Sequence, residues 1–190
     1  LFFYKMRYDS KNPSWPDRDR LILSKGHCAP ALYACLARTG YFPKSDLHGL
    51  RKLGSNLQGH PSNKTNGIEI STGSLGQGLS VANGIALAGK LDKKDYHVYA
   101  VLGDGELQEG QVWEALMTSS YYKLNNITAI IDRNSYQQTG STEQVMSVEP
   151  IKEKLESFGW AVFVVDGHKE EEIIEALDQK VEKPKAIIAK

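Results

Sequence analysis

The protein has 190 residues, 41% hydrophobic and 24% charged, a composition that excludes a disordered chain and suffices for one α/β domain with a buried core. Its 23 basic and 23 acidic residues cancel, so no net field draws it to nucleic acid or to an anionic membrane. Any phosphate site must therefore be built locally, from a metal ion or from backbone amides.

In chain order, residues 21–23 read as a strand and Ala29–Arg38 as a helix. A helix over 75–91, a strand over 97–102, a helix over 111–123 and a strand over Ile127–Asp132 follow. After these come a helix over 149–158, a strand over 160–165, a helix over 170–180 and a strand over 186–189. Short apolar runs such as Val98-Tyr99-Ala100-Val101-Leu102 suit strands covered on both faces. Alternating strands and helices predict a doubly wound, mostly parallel sheet with helices on both faces, in the α/β class. Residues 52–73 differ: they are rich in Gly, Ser, Thr and Asn, without periodicity, and read as a long ordered loop that leads into a helix start.

No apolar run approaches the ~20 residues that span a bilayer. Leu1 to Tyr8 lacks the regions of a signal peptide, so a cytoplasmic protein without a membrane partner is expected. Cys28 and Cys35 fall on one helix face and read as buried free thiols. Because the chain starts without Met and stops directly after an apolar run, it is expected to be one domain over 1–190, incomplete at both ends.

The chemistry concentrates at strand ends. Strand 97–102 runs into Gly103-Asp104-Gly105, where flanking glycines allow close approach and a carboxylate can face a ligand at the carboxyl end of a parallel strand. Asn134 stands thirty positions after Asp104, the length of one strand, helix and strand, which brings both to the same sheet edge. One carboxylate and one amide oxygen suit Mg²⁺. This pattern resembles the binding motif for thiamine diphosphate (ThDP) shared by transketolases, decarboxylases and 2-oxo acid dehydrogenases. The continuation Gly105-Glu106-Leu107-Gln108-Glu109-Gly110 is similar to that of transketolases. So are Leu23-Ser24-Lys25-Gly26-His27, Leu53-Gly54-Ser55 with Gly59-His60-Pro61, and Ser71-Thr72-Gly73-Ser74-Leu75-Gly76-Gln77-Gly78. The match covers nearly the whole chain, in the order of the family's amino-terminal domain.

The resemblance implies that Asp104, Asn134 and the carbonyl of Tyr136 hold Mg²⁺, or Ca²⁺ or Mn²⁺ in its place. It places Gly73, Ser74, Leu75, Asp104, Gly105, Asn134 and His27 against the cofactor, with Ser74 standing where the family more often has Pro. It has His27 border the cofactor diphosphate and His60 handle substrate oxygens and proton transfer, and it gives Glu109 a supporting role beside the cofactor through a contact across the dimer. By placement, either catalytic histidine could move protons near neutral pH. On the residues alone, Ser71 to Ser74 read as a capping segment that leaves amides open to an anion, while His48, His97 and His168 read as structural. The glutamate that activates the cofactor's aminopyrimidine belongs, by the resemblance, to a pyrimidine-binding domain absent here. One half of a split transketolase is thus expected, working in a homo- or hetero-oligomer on sugar phosphates. Another ThDP-dependent synthase subunit, or a noncatalytic ThDP–Mg²⁺ assembly module, remains an alternative. A nicotinamide site is disfavoured, since Gly73 to Gly78 lacks the Gly-x-Gly-x-x-Gly order.

Overall fold

The computed structural model describes all residues, 1–190. Five strands, β1 (Arg20–Leu23), β2 (Val98–Gly103), β3 (Ile127–Asp132), β6 (Ala161–Val165) and β7 (Lys185–Ala189), form one sheet in the order β1-β2-β3-β7-β6. Every pairing in it is parallel, so the expected "mostly parallel" sheet is wholly parallel. The only antiparallel pair is a separate two-residue hairpin, β4 (Tyr136–Gln137) and β5 (Gly140–Ser141), whose strands are too short to carry a period in the sequence.

Alternation along the strands decides which face each helix covers. Val98, Ala100 and Leu102 of β2, with Ile127, Ala129 and Ile131 of β3, point to one face. There they pack with Leu79, Ala82 and Ala86 of α2 (Gln77–Leu91), Val112, Ala115 and Leu116 of α3 (Gly110–Tyr121), and Ile151 and Leu155 of α5 (Ile151–Ser157). On the other face Leu23, Tyr99 and Ile187 pack with Leu32 and Leu36 of α1 (Ala29–Arg38), Ala176 and Leu177 of α6 (Glu170–Asp178), and Phe2 and Met6. Burial on both faces explains why these strands read as continuous apolar runs. The sheet is doubly wound, as expected, and no helix is long and apolar enough to cross a membrane.

Three local expectations need correction. The helix expected from residue 75 starts at Gln77, because Gly76 takes a left-handed conformation (φ 81°) as its N-cap; a side chain there would also strike Glu109. No hydroxyl caps it: Thr72 Oγ1 donates to the Leu23 carbonyl and Ser71 Oγ faces Asn63. Cys28 is the N-cap of α1 rather than part of its face, and both thiols are only half-buried.

His97 marks the amino-terminal edge of the sheet, opposite the strand ends that carry the motifs. Its Nε2 lies 2.8 Å from Thr128 Oγ1 and its ring centroid 4.7 Å from that of Tyr99. Burial pushes its imidazole down from 6.5 to about 4. A folded-state value below the unfolded one favours the neutral ring, so the contribution is complete above about pH 6.5 and is lost as pH falls through 4. The gap corresponds to about 3 kcal/mol. Urea unfolding of His97→Gln is expected to lose that much less stability than the parent protein between pH 7 and pH 4; parallel losses would refute the assignment.

Candidate functional site

The carboxyl ends of β1, β2 and β3 open onto one edge, as a parallel sheet requires. From β1 the chain continues through Ser24 and Lys25 into a 3-10 turn, Gly26–Cys28. From β2 it passes Asp104 into a second 3-10 turn, Gly105–Gln108. From β3 it passes Arg133 and Asn134 into the β4–β5 hairpin.

Asp104 is buried, 1% exposed, and is held from three sides. Its Oδ1 accepts from the Gly105 amide at 2.7 Å, and its Oδ2 accepts from the Ser135 amide at 2.7 Å and from Arg133 at 2.9 Å. Ser135 can present that amide because it adopts a left-handed conformation, φ 68°, a turn sustained by the Asn134 side chain, whose Oδ1 accepts from the Tyr136 amide at 2.9 Å. Asp104, Asn134 and Tyr136 are thereby gathered at one corner, as expected. The Asp104 carboxylate, with one lone pair unused, and the Asn134 side-chain oxygen are hard donors on adjoining turns, of the kind that a small divalent cation takes.

The loop over 52–73 closes on the same edge, and glycines are what let it do so. A Cβ at Gly26 would stand 2.9 Å from Thr72 Oγ1 and 3.0 Å from the Gly73 amide; one at Gly73 would stand 3.4 Å from the His60 ring. A Cβ at Gly76 would come within 2.8 Å of Glu109 Cβ. His27, His60, Gly73 and Glu109 are thus brought together around the loop–α2 junction. His27, His60, Ser74, Glu109 and Asn134 are all exposed, and Leu75 is half-buried. Burial and the neighbouring Lys25 charge lower the His27 imidazole from its usual value; Glu106 opposes this and His60 adds to it. Of the three histidines read as structural, His97 is far from this edge, His48 lies in the 3-10 turn Lys44–Gly49, and His168 sits in the loop before α6 with its amide on Asp166.

Three further charged residues line the same edge: Lys25 and Glu106 lie inside quoted motif segments that give them no role of their own, and Arg133 directly precedes Asn134. Lys25, 5% exposed, places Nζ 2.6 Å from Asp132 Oδ2. Burial works against its charge, but the hydrogen bond and attraction of Asp132 prevail and hold the ammonium above its usual range. Arg133, 8% exposed, spends its guanidinium on four acceptors: Asp104, Thr142 and the carboxylates of Glu143 and Glu149, at 2.7–2.9 Å. Glu106, 2% exposed, accepts from Ser24 Oγ, from the Gly76 amide at 2.9 Å and from the Gly103 amide at 3.1 Å. The bond from Gly76 corrects the expected open helix start: that amide of α2 already has a protein carboxylate. The signal was present in part, since Lys25 and Glu106 stand within motif segments and Arg133 adjoins Asn134. Burial, which gives them their meaning, depends on contacts remote in sequence.

Comparison with known proteins gives the family of the chain. Residues 1–190 match the family described as "Transketolase, thiamine diphosphate binding domain". The chain is 49% identical to transketolase of Pongo abelii over its whole length, covering 31% of that protein; it thus spans about a third of such curated relatives. It is 44% identical to an apulose-4-phosphate transketolase subunit of Phocaeicola vulgatus, covering 68% of it. The crystal structure of transketolase from Campylobacter jejuni superposes with a TM-score of 0.94 at 39% identity, over 98% of this chain and 31% of that one. With the motifs, the parallel sheet and the gathered strand ends all in agreement, the chain belongs to the transketolase family as its thiamine diphosphate binding domain.

Proposed function

We propose that this protein is the diphosphate- and Mg²⁺-binding half of a ThDP-dependent transketolase, which moves a two-carbon ketol unit between sugar phosphates once a pyrimidine-binding chain or domain completes the site. The observation that carries this is a contrast in burial on one edge. The anchoring group, Asp104, is buried and fully oriented, whereas His27, His60, Glu109 and Asn134 stand exposed around it. Catalytic groups work in a dry, enclosed site, so an edge of this kind asks for a covering partner. The Phocaeicola relative, itself named as a subunit and 44% identical to this chain, supports the same reading.

In this account Asp104, the side-chain oxygen of Asn134 and the carbonyl of Tyr136 would hold Mg²⁺, or Ca²⁺ or Mn²⁺ in its place, which would supply positive charge for the diphosphate. Gly73, Ser74, Leu75 and Gly105 give backbone and apolar contact, and Lys25 adds a fixed positive charge beside them. Bound thiamine diphosphate supplies the carbon centre that carries the transferred unit. His27, whose imidazole is lowered from its ordinary value, and His60 would accept and return protons at substrate hydroxyls. Glu109, exposed at the N-cap of α3, offers its carboxyl to the partner. A cytoplasmic setting goes with this role.

The test is ketol transfer from xylulose 5-phosphate to ribose 5-phosphate, with ThDP and Mg²⁺, using the protein alone and then mixed with a candidate pyrimidine-domain chain. Activity confined to the mixture is the expected result. A formed complex that remains inactive with these sugars, and active with apulose 4-phosphate, would move the assignment to the donor sugar for which the Phocaeicola relative is named.

A further inference from the structure

Glu106 is a buried carboxylate with no cation within salt-bridge distance; its three partners are all hydrogen-bond donors. They come from three different segments. Ser24 precedes Lys25 and His27 at the end of β1, Gly103 precedes Asp104 at the end of β2, and Gly76 caps α2 just after Gly73, Ser74 and Leu75. The segments meet closely enough that a Cβ on Gly78 would stand 2.5 Å from Ser24 Cβ, so the β1 turn and the first turn of α2 have no slack through which to find other partners. Two of the three donors are backbone amides, which cannot reverse their role. Only a group with two acceptor oxygens serves Gly76 and Gly103 together. A carboxylate at the α2 N-terminus also satisfies the positive end of that helix with protein charge, which leaves the cofactor's diphosphate to the metal.

We propose that Glu106 is a positioning residue of the cofactor site: its carboxylate pins the β1 turn, the β2 end and the α2 N-cap to one another, and so sets the distance between the metal-binding corner and the loop that carries Gly73 and Ser74. This rests on the reading of the edge as a ThDP site. Glu106→Gln keeps size and shape but has one acceptor oxygen, so one of the two amides must lose its partner and face an amide donor.

The experiment is calorimetric titration of ThDP with Mg²⁺ into the parent protein and Glu106→Gln, together with the amide proton signals of Gly76 and Gly103 by NMR. Stranding one buried donor weakens binding about tenfold when the bound state needs it aligned. The expected result is a loss of that size, with at least one of the two amide signals moving upfield to the range of an unbonded amide. A variant that melts at lower temperature but binds ThDP like the parent, with both signals in place, would show a merely structural role and overturn the proposal. A parent protein that binds no ThDP would overturn the functional reading and this inference with it. If Glu106→Gln does not fold, Ser24→Ala removes one donor and leaves the carboxylate. It is expected to bind about threefold more weakly, and unchanged affinity would overturn the proposal.

Discussion

Asp104→Asn is expected to abolish Mg²⁺-dependent binding of thiamine diphosphate, with affinity falling at least about a hundredfold, beyond the 10–100-fold typical for loss of a group that only supports a ligand. The substitution keeps an oxygen for the Gly105 amide, turns an amide donor toward the Ser135 amide and Arg133, and removes the charge that a divalent ion requires. Arg133 keeps Glu143 and Glu149 as partners, so the fold is expected to survive with a lowered melting temperature. Asp104→Ala is a less clean probe, since it strands the Gly105 amide as well as that of Ser135. Calorimetry on the folded variant checks the outcome; binding equal to the parent's would remove Asp104 from the metal site.

The second large effect lies at Arg133. Its guanidinium joins the buried Asp104 carboxylate to Thr142, in the short helix α4 (Thr142–Val145), and to Glu143 and Glu149 on either side of the chain's return toward α5. Arg133→Met leaves Asp104 with two amide donors and no counter-charge. Breaking a buried pair from one side costs about 3–5 kcal/mol, and urea unfolding is expected to show a loss in that range. Since the β4–β5 hairpin is tied to the body through the same group, the Thr142 amide, bonded to the Ser135 carbonyl at 3.0 Å, should exchange with solvent far faster in the variant. A loss under about 1 kcal/mol, of the size of an exposed pair, would mean that the network is solvated.

The contrast between these two residues shows what could be read from the sequence. Asp104 was legible because its neighbours are glycines, its place is the end of an apolar run, and its partner Asn134 lies one strand–helix–strand unit later. All of these are features of local order, and they carried the sheet, the helices and the corner of the site. Arg133 carries no such mark: an arginine after a strand is usually solvated, and its meaning comes from burial against Thr142, Glu143 and Glu149, which only the folded hairpin supplies. Glu106 was similarly hidden. Within the motif it is an ordinary acidic position, and its three donors come from residues 24, 76 and 103. The start of α2 departs from expectation for a related reason. Ser71, Thr72 and Ser74 look like caps, yet tertiary bonds claim Thr72 and Ser71, and the left-handed glycine at 76 sets the boundary instead.

Binding is more direct than turnover as a test of the central claim, because it does not wait on a partner chain. Thiamine diphosphate should be titrated calorimetrically into the protein twice, once with Mg²⁺ and once with EDTA. Saturable binding with one site per chain in Mg²⁺, lost in EDTA, is the expected result for a diphosphate held through a metal at Asp104 and Asn134. Binding that EDTA leaves unchanged, or none in Mg²⁺, would contradict it.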